Sequence, residues 1–257
     1  MCVPSNMNQP PTFQSLSDAT QFDFSMQGRV QVHSNPDTHF KIWNRDTLAP
    51  HWDRAYVEQF IQDYTRFNII RGRQGEEGYP GASKLHCLAF DKYLTVGAKV
   101  AVIGSQSPWI EAMLLNYGAG QVTTVEYNLP ICDHPDISVI SYDAFCRSSE
   151  VYDCIVTYSS VEHSGLGRYG DSIGVDDDLA AMTQIHAHLK DDGLCFFGAP
   201  MGRDAVVWNA HRIYGPCRRP LLFGRFTPVE WIGSAEAHTD SLKEREYKQP
   251  VIILKKS

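Results

Sequence analysis

The sequence is poor in every feature that would tie it to a membrane, a nucleic-acid backbone or a disulfide frame. No apolar run approaches the ~20 residues needed to cross a bilayer. Positive charge is in deficit: 23 Lys and Arg against 30 Asp and Glu leave a formal net charge of −7, which disfavours nucleic-acid binding through a general basic surface. The cysteines (Cys2, Cys87, Cys132, Cys146, Cys154, Cys195 and Cys217) include no C-x-x-C pair. An odd, unpatterned set reads as free thiols in a reducing compartment, so neither a zinc site nor a disulfide frame is expected. The opening MCVPSNMNQPPTFQS has neither the basic start nor the apolar core of a signal peptide. Together these absences set three expectations: a cytoplasmic location, no membrane and no nucleic acid. Internal repeats and low-complexity tracts are missing too. What remains is a 257-residue chain, 43% hydrophobic and 21% charged, which is globular composition with enough length for a good core.

The most informative stretch is Lys99 to Asn128. Val100 to Ile103 is a short apolar run suited to a strand buried on both faces, and Gly104 ends it. Ser107-Pro108 is a helix-start signal, with Ser as N-cap and Pro at the first helical position. Ile110, Met113, Leu114 and Tyr117 recur at helical spacing, and Gly118 sits where a C-cap belongs. Val122 to Val125 is a second, β-branched strand ending at Glu126. Such a unit pairs its strands in parallel and gathers ligand chemistry at their carboxyl ends. An acidic residue about 20 positions past the glycine turn accepts hydrogen bonds from ribose hydroxyls, so Glu126 points to a ribose-containing cofactor. A dinucleotide site requires G-x-G-x-x-G, but the matching positions here are Gly104, Gln106 and Trp109, and Pro108 removes an N–H donor. A pyrophosphate fits that loop poorly. S-adenosylmethionine, with a ribose and no phosphate, fits it better.

Around this unit the chain divides into three expected parts. Residues 1–40 are a polar extension, partly disordered or laid over the surface, with Phe13, Phe22 and Phe24 as possible anchors. Residues 41–98 are a helical lead-in packing on the domain, with helices over His51–Phe67 and Ser83–Leu94 separated by a loop from Gln74 to Ala82. Residues 99–257 form the cofactor-binding domain. Further strands are expected over Ile137–Tyr142, ending at Asp143, over Val151–Tyr158, ending in Ser159-Ser160, over Leu194–Gly198 and over Val251–Leu254. A helix is expected from about Asp176 to Lys190, with acidic residues starting it. Thr227 to Ile232 reads either as an edge strand bearing a proline or as a capped helix start.

The order of strand candidates, the acidic residues after the second and third, and the phrase LAAMTQIHAHLKDDGLCFFGAP (Leu179 to Pro200) resemble the class I S-adenosylmethionine-dependent methyltransferases. SSVEHSGLGRYGD (Ser159 to Asp171) and NAHRIYG (Asn209 to Gly215) resemble an uncharacterised methyltransferase-like family first defined in nematodes. The resemblance implies an α/β fold, a doubly wound, mostly parallel Rossmann-like sheet with an antiparallel C-terminal strand. It places Gly104 and Ser105 against the methionine part of S-adenosylmethionine, Glu126 on the ribose, Asp143 on the adenine amino group, and Tyr158 and Ser159 at the closing edge of the site.

Methyl transfer to a hydroxyl needs alignment and a base, for which His is the commonest choice. His163 follows the fourth strand and is the candidate base; His211 and Arg212 follow the fifth and are candidate acceptor orienters. Arg168, in a glycine-rich segment that forms tight turns or a mobile lid, is placed to hold an anionic group, whereas Arg218-Arg219 reads as a solvated pair. Glu162 with His163 supplies too few ligands for a metal. The expectation is methyl transfer from S-adenosylmethionine to a small-molecule or glycan-like acceptor, at oxygen. The competing readings are an NAD- or nucleotide-sugar-dependent enzyme on a similar sheet, and a non-catalytic binding module that keeps the fold.

Overall fold

The structure, a computed structural model, describes residues 11–34, 49–72 and 81–257. The loop expected from Gln74 and the first part of the polar extension lie largely outside those residues. Seven strands make the central sheet: β1 Lys99–Ile103, β2 Gln121–Glu126, β3 Ile137–Ser141, β4 Tyr152–Tyr158, β5 Leu189–Gly198, β6 Phe226–Ile232 and β7 Val251–Lys256. Their order across the sheet is β6-β7-β5-β4-β1-β2-β3. The first five run parallel, and β7 is antiparallel to both β5 and β6. This is the doubly wound Rossmann-like sheet with an antiparallel C-terminal strand. The chain order reverses between β1 and β4, so the ends of these two strands are where a ligand crevice opens.

Burial explains the strand sequences. Val100, Ala101 and Val102 on β1, and Ile155 and Val156 on β4, are fully enclosed because both sheet faces are covered. One face carries Val100, Val102, Cys154, Val156 and Phe196 against the lead-in helices; the other carries Ala101, Ile155, Cys195 and Phe197 against the later ones. Thr227–Ile232 resolves as strand: Pro228 is tolerated because β6 is an edge, and the pairing register shifts between Pro228 and Glu230.

Of the helices, α1 is Asp18–Phe24, α2 Arg54–Asp63, α3 Arg66–Ile70, α4 Ala82–Tyr93, α5 Trp109–Asn116, α6 Tyr142–Arg147 and α7 Asp177–Ala187. The single helix expected over 51–67 is two, because Thr65 caps a new start by accepting from the Asn68 amide. Asp53 caps α2, and Trp52, which precedes the helix, is buried in the core. Ser107 does not cap α5: the helix begins at Trp109 behind Pro108, with no side-chain cap. Its end does match expectation, with Gly118 at φ +80° and the Ala119 amide returning to the Leu114 carbonyl.

Residues 11–34 lie over the domain. The strand Gln31–His33 pairs in parallel with Ala205–Val207, and Phe13 and Phe24 pack on Trp208. Phe22 remains exposed and anchors nothing. No helix among the described residues is long and apolar enough to cross a membrane.

Candidate active site

Two clefts meet at the carboxyl ends of β1 and β4. The first is lined by Gly104, Ser105, Gln106, Glu126, Tyr127, Tyr142, Ser159, Ser160, His163, Tyr169 and Asp171, together with Pro50. The second is lined by Leu85, Tyr158, Ser159, Glu162, His163, Arg168, Tyr169, His211, Tyr247 and Gln249. Ser159, His163 and Tyr169 belong to both.

The first cleft is built from the β1–α5 turn. Gly104 sits at φ +79°, and a Cβ on it would lie 2.1 Å from Ser160 Oγ, so no other residue fits between these strands. Ser105 is buried, its hydroxyl 3.0 Å from both the Ser107 carbonyl and Glu111 Oε2. Glu111, on α5, has no exposed surface and also accepts from Thr124 Oγ1 at 2.7 Å. Burial raises its carboxyl to about 7, against the Thr124 and Ser105 hydrogen bonds. The sequence carried a signal for it: an acidic residue inside the otherwise apolar stretch Trp109–Leu115. Trp109, at the third glycine position of a dinucleotide fingerprint, is a buried indole packed on Tyr64, His86 and Tyr158.

Glu126 ends β2 facing this cleft. The Tyr127 amide donates to its Oε1 at 2.8 Å, and burial raises its pKa despite that bond. Asp143 does not join it. The strand before it ends one residue earlier than expected, at Ser141, whose Oγ caps α6 by accepting from the Ala144 amide at 3.0 Å. The helix turn brings Tyr142 to the cleft and turns Asp143 outward, its side chain 70% exposed and 3.9 Å from Arg147. Tyr127 and Tyr142 instead form an aromatic edge, centroids 5.1 Å apart.

At the junction, Ser159 is held at φ +55°, a strained conformation for a residue with a side chain. Its hydroxyl donates to Glu162 Oε1 at 2.9 Å. Glu162 is buried, and burial lifts its carboxyl to about 7; its Oε2 has no hydrogen-bond partner among the described residues. His163 Nδ1 is 2.5 Å from the Ala210 carbonyl. A carbonyl only accepts, so Nδ1 carries the proton and Nε2 keeps its lone pair, 3.7 Å from Glu162 Oε1. Burial, helped by the charges of Arg168 and Arg212, depresses this imidazole to about 3 against the pull of the Ala210 carbonyl, so it is neutral near pH 7. His211 lines the second cleft, with its ring against Tyr247, and is lowered to about 4 by burial and by Arg168 and Arg245. Tyr158 donates to the backbone carbonyl of Gln249, another residue that lines that cleft.

Arg212 does not reach either cleft. It is 1% exposed and donates to the carbonyls of Ser164, Gly174 and Val175, with Nε 3.6 Å from Asp178. Arg218 is likewise buried rather than solvated, forked onto Asp178 at 2.5 and 2.8 Å. Arg219 is buried on Asp240 and Glu236. Burial alone would raise Asp178, but Arg212 and Arg218 outweigh it and hold its carboxyl below the ordinary range. Arg212 therefore spans the two ends of the glycine-rich segment. Within that segment Asp171 accepts from the amides of Gly165, Gly167 and Tyr169, so the glycines are wound into tight turns.

Residues 97–255 match the family described as Caenorhabditis protein of unknown function, DUF268. The chain belongs to that family. No curated protein matches the sequence. Among solved structures, the chain is similar to the 1,6-didemethyltoxoflavin-N1-methyltransferase of Burkholderia thailandensis, a complex with that substrate and S-adenosylhomocysteine. Identity is 17%, with 79% of this chain and 88% of that chain covered and a TM-score of 0.45. It is also similar to the N-methyltransferase NodS of Bradyrhizobium japonicum WM9 in complex with S-adenosylhomocysteine, at 13% identity, covering 78% and 98%, with a TM-score of 0.44. A third is the ribosomal protein L11 methylase of Lactobacillus delbrueckii subsp. bulgaricus, at 14% identity, covering 70% and 81%, with a TM-score of 0.43.

Proposed function

We propose that this DUF268 protein binds S-adenosylmethionine in the first cleft and methylates a small-molecule or glycan-like acceptor, at oxygen, in the second. The observation that carries the reading is the meeting of the two clefts at Ser159, His163 and Tyr169, next to a ribose-type carboxylate at the tip of β2. The residues fit this cofactor better than NAD. Glu126 offers a half-buried carboxylate to a pair of hydroxyls. The Trp109 indole fills the room that a pyrophosphate loop leaves open, and Pro108 withholds an amide. The cofactor supplies, when bound, a sulfonium methyl group.

The chain's own residues would then do three things. Gly104 and Glu126 fix the cofactor's position, and alignment of this kind is worth about 7–11 kcal/mol of a barrier. Tyr158, Tyr169 and Tyr247 wall the acceptor side. The Nε2 lone pair of His163 takes the hydroxyl proton, which becomes strongly acidic only as the oxygen–carbon bond forms, so a weakly basic imidazole suffices. His211 orients the acceptor from the opposite wall. A cytoplasmic location belongs to the same reading and is supported by Cys87, Cys132, Cys146, Cys154, Cys195 and Cys217, all unpaired.

The test is cofactor-linked stability. A ligand that binds only the folded state, at about 100 times its dissociation constant, adds about 2.7 kcal/mol. For a chain of this length that is roughly 5–10 °C in Tm. S-adenosylhomocysteine should shift the melt and NAD should not; a shift by NAD alone overturns the reading.

A further inference from the structure

The second cleft holds polar atoms that the fold leaves unsatisfied. Glu162 Oε2, Arg168 Nε and Gln249 Nε2 are buried and have no hydrogen-bond partner among the described residues. All three residues line that cleft. Buried polar atoms without partners are rare in folded proteins and call for a ligand or ordered water. Here they form a set of one acceptor and two donors. The guanidinium is otherwise engaged by a long contact, 3.4 Å, to the Ala210 carbonyl and by Tyr169, whose ring lies 5.6 Å from it.

Charge decides what the set will take. The whole chain is acidic, yet Arg168 is the one cationic side chain among the described lining residues of this cleft, between Tyr169 and the His163 and His211 imidazoles. Glu162 is the one carboxylate among the described lining residues, and its Oε1 is already taken by the Ser159 hydroxyl. A cationic amine would meet Arg168; a carboxylate or phosphate would find a forked donor there. The remaining walls, Leu85, Pro200, Tyr158 and Tyr247, are apolar or aromatic, which suits the C–H face of a saturated ring.

We propose that this cleft takes an anionic polyol ring, a sugar acid or a sugar phosphate, with its anionic group on Arg168 and a ring hydroxyl presented to Glu162 and to Nε2 of His163. Calling this ring the methyl acceptor rests on the proposed function; its binding does not. The Gln249 amide supplies the second donor, to a ring or hydroxyl oxygen.

The experiment is calorimetry on the full chain, without cofactor, using four probes: D-glucuronate, D-glucose 6-phosphate, D-glucose and D-glucosamine. At least one anionic probe should bind, with glucose and glucosamine at least tenfold weaker, and the anion that binds tells carboxylate from phosphate. Arg168→Gln should weaken that anion at least tenfold. The inference is overturned if none of the four binds, if glucose or glucosamine binds as tightly as the better anion, or if Arg168→Gln leaves the affinity unchanged. Should that variant fail to fold, the salt dependence of the wild-type chain carries the same test: affinity must fall as salt rises, and a flat response overturns it. S-adenosylhomocysteine is titrated separately. Binding of S-adenosylhomocysteine with no anionic probe bound overturns this inference alone; binding of an anion without S-adenosylhomocysteine supports it and overturns the cofactor reading.

Discussion

Replacing Glu111 by glutamine should remove part of the protein's loss of stability as pH rises from acid to alkaline. The wild-type carboxyl lies wholly inside the protein, and burial lifts it from 4.5 to about 7. The folded state therefore holds this proton more tightly than the unfolded chain does. Stability contributed by the neutral carboxyl is fully present below 4.5 and is lost as pH rises through the interval up to about 7, at about 1.4 kcal/mol per pH unit. From about pH 5.5 to about pH 8 the loss is about 2 kcal/mol. The amide is isosteric, and its oxygen can accept from Thr124 Oγ1 as the carboxylate does. Its nitrogen can donate to Ser105 Oγ, whose own proton then goes to the Ser107 carbonyl. The second N–H of the amide has no acceptor among these groups, a cost that is the same at every pH and so cancels from the pH-dependent difference between the two proteins. Glu162 titrates in the same direction, so the wild-type profile contains both groups, and only the difference between Glu111→Gln and wild type isolates Glu111. Urea denaturation at several pH values should show the two stability curves diverging by about 2 kcal/mol over this range, or roughly 4–8 °C in Tm. Parallel curves would mean that Glu111 is not buried as a carboxyl beneath the Gly104 turn, and the architecture of the first cleft would fall with it.

The other predictions concern single side chains. Asp178→Ala leaves Arg212 and Arg218 facing each other in the interior and should cost about 3–5 kcal/mol in equilibrium denaturation; a loss below about 1 kcal/mol would dissolve the network. Glu126→Ala should weaken S-adenosylhomocysteine at least tenfold by calorimetry, about 1.5–3 kcal/mol, with an unchanged circular dichroism spectrum. Once an acceptor is in hand, His163→Ala should lower kcat by about 10²–10⁴ while cofactor affinity holds, and normal turnover would put the base elsewhere.

Local grammar made the β1–α5–β2 unit and the later strands readable. Apolar runs, a terminal glycine and β-branched residues act within a few positions of one another, and Gly104 and Glu126 fell where that grammar puts them. Asp143 was misjudged by a single residue of strand length. The Ser141 cap, which ends the strand, competes with a pattern that continues smoothly into Tyr142, and the following helix turn sends the carboxylate to solvent. The arginines went wrong for another reason. Arg212, Arg218 and Arg219 read as polar residues after a strand because their partners Asp178 and Asp240 are remote in the chain. Burial of a charge is decided by tertiary partners, which no local pattern encodes. Gln249 and the buried Oε2 of Glu162 gave no signal at all, since a missing hydrogen bond exists only in three dimensions.

The pairing of Gln31–His33 with Ala205–Val207 has a consequence for biosynthesis. The earlier segment leaves the ribosome long before its partner is made, so Phe13 and Phe24 stay without the Trp208 indole that covers them while five of the seven strands of the sheet are being translated. Loop closure over such a span is slow compared with the neighbour-to-neighbour pairing of β1, β2 and β3. The nascent chain thus carries an uncovered aromatic segment through most of synthesis.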